Sequence, residues 1–452
     1  MIRKLLRKVF RRPESGALAG PATIPATQHG IAREGFSRFA CKVCTVLQDN
    51  GHSAYIVGGA VRDLLIGHIP KDFDVATSAT PEEVRALFRR SRIIGRRFKI
   101  VHVMSGRETI EVSTFRAIHD DAAAETDEHG RVLRDNVYGN QAEDATRRDF
   151  TANALYYDPK NENIIDYHHG VADIRQKTLR MIGDPRSRYR EDPVRMLRAV
   201  RLGAKLDLVI APEARQPIRE MAQLLDNVPA ARLFDEMLKL LFSGHAVKCV
   251  KQLRAEGLHH GLLPLLDVIL EQPLGERFVW LSLENTDERI RADKSVSPGF
   301  LFATLLWHQV LATWEVRKQG GEPPQPALFE AMDEVLDTQA RKLAITKRIA
   351  GDIKDVWSLQ PRFEKRAGKT AYRLIEQPRY RAAWDFLRLR AQSGEIDMAL
   401  VDWWHRFAHA SPEQRETLIA EAPQSAASPA KRKRRRRKPR PAAEVASPEA
   451  SS

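Results

Sequence analysis

The sequence has little cysteine and no long apolar run. Its 452 residues include three cysteines, Cys41, Cys44 and Cys249. They are too few for a disulfide framework and fit a reducing compartment, so we expect a cytoplasmic protein. Cys41 and Cys44 form an isolated C-x-x-C pair, short of the four ligands usual in a structural zinc site. No stretch reaches the roughly 18 apolar residues of a membrane span, and the most apolar one, Gly299–Trp314, predicts a buried helix.

Two basic segments, one near each end of the chain, contain no acidic residue. Residues 1–12 hold six basic side chains and no acidic one, and the run KRKRRRRKPR at residues 431–440 holds nine more. Without these fifteen, 58 of the 73 basic residues remain, against 59 acidic ones, so the rest of the chain is close to neutral. This distribution excludes a uniformly basic coat and indicates two cationic arms that bind polyanions.

The N-terminal arm is also amphipathic. Its apolar side chains fall on one helical face, opposite the basic ones: Ile2, Leu5, Leu6, Val9 and Phe10. This pattern is typical of a helix lying on a membrane surface, so peripheral membrane contact is one interpretation. An RNA-binding or disordered arm is the alternative that we favour.

The periodicity of the chain predicts an α+β fold. Residues 36–170 alternate between helical patterns and short strands, the latter at Ala54–Val57, Asp72–Ala76, Lys99–Val103 and Thr109–Ser113. Residues 171–242 and 243–424 are almost entirely helical in pattern. Residues 1–35 are predicted to be a basic arm and linker. Residues 425–452, rich in Ser, Pro, Ala and Arg, are predicted to be a disordered basic tail.

Two aspartates on one strand are the strongest chemical signal. In KDFDVAT, Asp72 and Asp74 are two residues apart and project from the same face of a strand. Adjacent carboxylates repel one another unless a cation lies between them, and two-metal phosphoryl transfer uses such pairs. Glu111 lies on the polar face of another strand pattern, and an antiparallel neighbour carrying it would complete a metal triad. A solvated strand edge for the aspartates and an ion pair for Glu111 are the alternatives.

A Gly-Gly turn precedes these aspartates. Gly58 and Gly59 lie between an apolar strand and a helical pattern. Backbone N–H groups at such a turn, together with a helix N-terminus, can bind phosphate. A tight connection without a ligand is the alternative.

Five motifs resemble, in order and spacing, those of the class II nucleotidyltransferases. This family contains bacterial poly(A) polymerases and CCA-adding tRNA nucleotidyltransferases. The motifs lie between about Ala54 and Leu202 and read GGAVRD, DFD, EVSTFRA, RRDFTANALYYD and EDPVRMLRAVR. The resemblance implies a catalytic head like that of polymerase β, with a mixed sheet, at residues 36–170. A helical neck with the base-recognition motif would follow at residues 171–242, and a helical body with an arginine-rich C-terminal domain at residues 243–424.

The resemblance also implies roles for single residues. Asp72 and Asp74 would hold two catalytic Mg²⁺ ions, with Glu111 as the third ligand. Gly58, Gly59 and Arg62 would bind the triphosphate of ATP. Asp63 would complete this nucleotide-binding site by fixing the loop.

The RRDFTANALYY motif is implied to contact the sugar and phosphates of the nucleotide. Arg148, Asp149 and Asn153 are the residues concerned, and helical spacing predicts that Asp149 and Asn153 share a face. Asp149 either acts in catalysis directly or orients Arg148. Ala152 stands where the family usually has Ile, which affects local packing only.

Asp192, Arg195 and Arg198 recur every three residues, near one helical face. In the family, such an Asp–Arg pair reads the Watson–Crick edge of the incoming base. Because Asp192 precedes Pro193, a helix N-cap is the structural alternative, and the two roles are compatible.

Two features favour polyadenylation over CCA addition. Residues 93–103 (IIGRRFKIVHV) resemble a signature of bacterial poly(A) polymerases, and they place Arg96, Arg97 and Lys99 where RNA phosphates can be met. A basic tail gives sequence-independent RNA affinity through Lys431, Arg432, Lys433, Arg434, Arg435, Arg436, Arg437, Lys438 and Arg440. The segment PRYRAAWDFLRLRAQSGE mixes arginine with aromatic residues and predicts either base stacking or an amphipathic core helix.

These observations predict an enzyme that extends RNA 3′ ends with AMP from ATP, without a template, and so promotes RNA decay. A CCA-adding tRNA nucleotidyltransferase is the alternative enzyme, and a non-catalytic RNA-binding scaffold is the alternative of another class. The resemblance further implies a monomer and association with the RNA-decay machinery or an RNA chaperone.

Overall fold

The structure is a computed structural model that describes residues 20–95, 99–117, 137–258, 273–340 and 344–422. Its N-terminal head is built on a mixed eight-stranded sheet in the order β1-β8-β7-β2-β3-β6-β5-β4. The strands are β1 Ala22–Ile24, β2 Ala54–Val57, β3 Asp74–Thr77, β4 Ser91–Ile94, β5 Ile100–Ser105, β6 Glu108–Thr114, β7 Leu155–Asp158 and β8 Asn163–Asp166. The head helices are α1 Ala26–His29, α2 Arg38–Asp49, α3 Gly59–Ile66, α4 Pro81–Leu87, α5 Gln141–Arg147 and α6 Gly170–Arg175.

The centre of the sheet differs from the expectation in two respects. β3 and β6 are parallel, with Asp74 opposite Glu111, whereas an antiparallel pair was expected. The chain reaches β6 from β3 through α4 and the β4–β5 hairpin, and a crossover of that length permits parallel pairing. β3 also begins at Asp74, so Asp72 lies in the loop before the strand.

Apolar residues on one face of the sheet form the core of the head. Ile56, Val75 and Val112 are fully or almost fully buried against α2, which contributes Val43 and Leu47. Ser37 caps α2, its hydroxyl accepting from the N–H groups of the first turn. The opposite face carries a smaller aromatic cluster around Tyr156.

Residues 20–35, which composition assigns to the arm and linker, form part of the head. β1 pairs with β8 at one edge of the sheet. His29 Nε2 lies 2.9 Å from the carbonyl oxygen of Glu162, and Arg33 forms a 2.9 Å ion pair with the Glu162 carboxylate. These contacts come from residues distant in sequence, which local composition does not reveal.

Beyond the head the described residues are mainly helical, apart from a two-stranded sheet of β9 Thr178–Leu179 and β10 Val209–Ile210. The helices are α7 Pro185–Glu191, α8 Val194–Leu206, α9 Pro212–Met221, α10 Ala230–Leu241, α11 Ala246–Ala255, α12 Pro273–Arg291, α13 Pro298–Gln319, α14 Pro324–Ala340, α15 Lys347–Leu359, α16 Gly368–Ile375, α17 Tyr380–Ser393, α18 Met398–His409 and α19 Pro412–Glu421. One hydrophobic core includes residues from α7 to α15 together with Phe386 and Leu389 of α17, and a second, centred on Trp404, joins α16 to α18. Within the described ranges, no helix has the length and apolarity to cross a membrane.

Candidate active site

The Gly-Gly turn joins β2 to α3 at the centre of the head. Gly58 has φ +76° and ψ −125°, a conformation that side chains other than glycine rarely adopt. A Cβ atom added there would lie 3.4 Å from Arg148 Nη1 and 3.6 Å from the carbonyl oxygen of Asn153. The turn therefore passes directly over the RRDFTAN segment.

Arg62, on the first turn of α3, links the Gly-Gly turn to that segment. Its guanidinium donates from Nε and Nη2 to Asp63 Oδ1, at 2.9 and 2.6 Å, and from Nη1 to Asn153 Oδ1. The residue is 6% exposed. Asp63 thus orients a buried cation beneath the turn, and its role in fixing the phosphate-binding loop stays a prediction.

Asp149 is buried and is held by three groups. The backbone N–H of Phe150 and Asn153 Nδ2 donate to Asp149 Oδ1, at 2.8 and 3.0 Å. Arg198 Nη2 lies 2.6 Å from the other carboxylate oxygen. Burial alone would raise the pKa of Asp149, but Arg198 and these hydrogen bonds hold it below its usual range.

Asp149 therefore contacts Arg198 rather than Arg148, which is a correction to the orienting role considered above. The predicted proximity of Asp149 and Asn153 is present, but the element differs. Residues Thr151–Asn153 form a single 3₁₀ turn instead of an α-helix, and that turn brings the two side chains together.

The three candidate metal ligands lie at the start of β3, in the middle of β6 and in the loop before β3. Asp74 and Glu111 are register partners on the parallel strands, Asp72 precedes β3, and all three side chains are exposed. Although Asp74 reaches the surface, loss of water around it raises its pKa to about 6. The charges of Glu111 and Asp72 add to this rise, and Arg148 opposes it.

This arrangement fits a cation in its donor set. Carboxylate oxygens are the ligands that Mg²⁺ prefers, and like charges in register are stabilised by a cation between them. The three carboxylates do not form a cluster, however. Among the described residues, no three His, Cys, Asp or Glu side chains are arranged to hold a metal ion. Glu111 instead lies 3.3 Å from His102 Nε2 on the neighbouring strand β5.

The candidate base-reading residues lie together at the start of α8, but each has its own partner. Both Asp192 carboxylate oxygens accept from Arg232 Nη2 on α10, at 3.1 and 3.0 Å. Arg195 Nη1 donates to Glu191 at 2.8 Å. The alternative reading of Asp192 as an N-cap is wrong, because α8 begins after Pro193 without a side-chain cap.

Of the remaining candidates, only Lys99 and the α17 segment lie within the described residues. Lys99 forms a 3.0 Å ion pair with Glu82. Arg96, Arg97 and the basic tail at residues 431–440 are outside the described residues. In α17, Phe386 is fully buried and Trp384 is 8% exposed, so the amphipathic core-helix alternative for this segment is the correct one.

Sequence reasoning missed several groups around the site. Asp144 and Tyr156 both hydrogen-bond Arg148, and Arg188 Nη2 donates to the Arg148 carbonyl at 2.7 Å. Asp144 precedes Arg148 by one helical turn, a spacing that predicts an ion pair. Arg232 pairs with Asp192 across 40 residues, and nothing local in the sequence indicates that contact.

The chain matches three family models, each of a part of polymerase A. They are described as "Poly A polymerase head domain" (residues 54–180), "Probable RNA and SrmB-binding site of polymerase A" (207–270) and "Polymerase A arginine-rich C-terminus" (320–440). Poly(A) polymerase I of Haemophilus influenzae is 46% identical over 408 residues, covering 88% of this chain and 90% of that protein. The chain belongs to the poly(A) polymerase I family.

A second member, from Salmonella typhimurium, is 44% identical over 432 residues, covering 92% of this chain and 93% of its own. Among solved structures, the Bacillus stearothermophilus CCA-adding enzyme in complex with CTP superposes with a TM-score of 0.56 and 26% identity, covering 84% of this chain and 81% of that one. The predicted fold, a nucleotidyltransferase head with a mixed sheet followed by helices, is confirmed.

Proposed function

We propose that this chain is a polynucleotide adenylyltransferase that extends RNA 3′ ends from ATP without a template. The primer 3′-oxygen attacks the α-phosphorus and loses its proton, the bond to the β-phosphate oxygen breaks, and pyrophosphate leaves. Similarity to poly(A) polymerase I over about 90% of both chains supports this function. The observation that carries it is the site itself, with Asp74 in register with Glu111 on one side and with Val57, which precedes the Gly58 turn, on the other.

The nucleotide would lie between the turn and the start of α8. Gly58, Gly59 and Arg62 would bind the triphosphate, with Arg148 directly beneath the turn. Asn153 and Asp149 would bind near the sugar, with Asp149 acting through Arg198. Arg195 and Asp192 would read the base edge.

Two Mg²⁺ ions would be held by Asp72, Asp74 and Glu111. The ions would lower the pKa of the primer hydroxyl and neutralise the pyrophosphate as it forms. The raised pKa of Asp74 is consistent with a carboxylate site that a cation stabilises. The chain itself contributes the parallel register, which fixes the Asp74 and Glu111 backbones opposite one another.

RNA would be gathered by basic groups outside this centre. We assign this role to Arg96, Arg97 and Lys99 and to the tail at residues 431–440, because phosphate contacts by lysine and arginine do not depend on sequence. We further propose that the enzyme acts as a cytoplasmic monomer on mRNA, small RNA and decay fragments. It would associate with the RNA-decay machinery or an RNA chaperone, with peripheral membrane contact through the N-terminal arm.

Incubation with two RNAs and two nucleotides tests this function. A generic RNA and a tRNA lacking its CCA end are each offered ATP or CTP with Mg²⁺. We expect long adenylate tails on both RNAs and little incorporation of CTP. Addition of C and then A, confined to the tRNA, would assign CCA synthesis instead, and no incorporation would leave a non-catalytic scaffold.

A further inference from the structure

Arg148 is held in a closed set of hydrogen bonds beside the Gly58 turn. Its Nε donates to Asp144 Oδ2 at 3.2 Å and to the Tyr156 hydroxyl at 3.1 Å, and its Nη2 donates to Asp144 Oδ2 at 3.1 Å. The Tyr156 hydroxyl in turn donates to Asp144 Oδ2 at 2.7 Å. Each of the three side chains therefore contacts the other two.

These contacts orient the guanidinium. Nε and Nη2 face Asp144, while Nη1 points the other way, to the Asn153 carbonyl oxygen at 3.3 Å and to the underside of Gly58. A guanidinium is planar, so fixing two of its nitrogens fixes the third. Asp144 and Tyr156 thus set the position of the Arg148 nitrogen closest to the Gly-Gly turn.

The two partners are themselves immobilised. Tyr156 is fully buried, and its ring packs edge-on against those of Tyr55, Phe115 and Tyr167. Asp144 is 8% exposed, and its second carboxylate oxygen accepts from the Arg116 backbone N–H at 3.3 Å. The ring of Tyr156 is therefore kept in place by packing, and its hydroxyl lies where it accepts from Arg148 and donates to Asp144.

We propose that Asp144 and Tyr156 are positioning residues, which hold Arg148 ready for the triphosphate of the incoming nucleotide. This assignment rests on the proposed function for the nature of the ligand. Neither residue touches the nucleotide; both act through Arg148. Without the Tyr156 hydroxyl, the arginine would keep its charge but lose one of the groups that fix its plane.

Tyr156→Phe, with Tyr157→Phe as its matched control, tests the proposal. Tyr157 is the next residue of β7, is 1% exposed, and stacks on Phe36 in the core on the other face of the sheet. Binding of ATP and of AMP, each with Mg²⁺ and without RNA, is measured by calorimetry. We expect Tyr156→Phe to weaken ATP binding about tenfold, the loss typical of one hydrogen bond to a charged group, with AMP binding unchanged. Tyr157→Phe should change neither.

A double-mutant cycle separates positioning from a general structural effect. In an Arg148→Ala background, Tyr156→Phe should weaken ATP binding no further, because the group that it positions is gone. Equal losses for ATP and AMP, or additive losses in the cycle, would overturn the proposal. Thermal melts confirm that each variant is folded, and Asp144→Asn gives a second variant should Tyr156→Phe fail to fold.

Measuring ATP binding separately from tail synthesis distinguishes a failure of the positioning role from a failure of the proposed adenylyltransferase function. If the wild-type protein binds ATP but adds no adenylate to RNA, the proposed function fails while the positioning role can still be measured. If tails are made normally and Tyr156→Phe binds ATP as the wild type does, only the positioning role fails.

Discussion

The ion pair between Arg198 and Asp149 joins α8 to the head. The exposure of its two side chains determines how much its removal lowers the free energy of unfolding. Removing one partner of a buried pair costs about 3–5 kcal/mol, because the other charge is left without compensation. The Asp149 side chain is 9% exposed, but that of Arg198 is 38% exposed. Solvent screening therefore reduces the expected loss for Arg198→Met to about 2 kcal/mol.

Urea unfolding, followed by circular dichroism, measures this loss against a matched control. Arg186→Met breaks a pair with Glu220 whose side chains are 43% and 47% exposed, so its loss should stay below about 1 kcal/mol. Adding Asp149→Asn to Arg198→Met should restore most of the stability, since the Asn oxygen still accepts the hydrogen bonds but carries no charge.

The same pair predicts a dependence on pH with a definite sign. The pKa of Asp149 is lower in the folded protein than the value of about 3.9 in an unfolded chain. Its contribution to the free energy of unfolding is therefore fully present above about pH 4, and it is lost as pH falls through the folded-state pKa. The gap between wild type and Arg198→Met should narrow on acidification. A gap that is constant with pH, or an equal loss for Arg186→Met, would show that the Arg198–Asp149 pair does not stabilise the folded protein.

Three further predictions address the nucleotide and the RNA. Gly58→Ala should weaken ATP binding about tenfold or more, because it strains the backbone by about 1–3 kcal/mol and places a methyl group against the Arg148 guanidinium. Gly67 also has a positive φ, +83°, but open space around it. Gly67→Ala is therefore the control, and it should lower stability but leave ATP binding unchanged. Arg232→Ala should free the Asp192 carboxylate to accept from other bases, and steady-state kinetics should show the preference for ATP over CTP fall by about tenfold; an unchanged ratio would remove Arg232 from base selection. Deletion of residues 431–440 should weaken RNA binding and flatten its dependence on salt concentration, and an unaltered slope would remove the tail from RNA binding.

Local sequence patterns predict much of the head and its site. The apolar strand before Gly58 follows from its run of apolar residues, and the exposed position of Glu111 on β6 follows from alternation. Arg62, Asp63, Asn153 and Asp149, assigned from the family motifs, do meet at one place.

Contacts between distant segments are what the sequence does not reveal. The pairing of β3 with β6 depends on a long crossover, whose direction no local pattern encodes. The addition of β1 to the sheet edge depends on β8, far along the chain. The Arg232–Asp192 pair likewise arises only because α10 packs beside α8. Each of these three contacts depends on packing between distant segments and not on the residues adjacent in sequence.

Asp74→Asn tests whether the Asp74 carboxylate holds the metal needed for adenylate transfer. The measurement is the transfer of label from the α-phosphate of ATP to RNA. The substitution keeps the size of the side chain but removes the charge that would hold metal, so we expect the rate to fall at least about a thousandfold while RNA affinity is unchanged. Asp49→Asn, at an exposed position on α2, is the control and should transfer label at the wild-type rate. Transfer near the wild-type rate by Asp74→Asn would contradict the account.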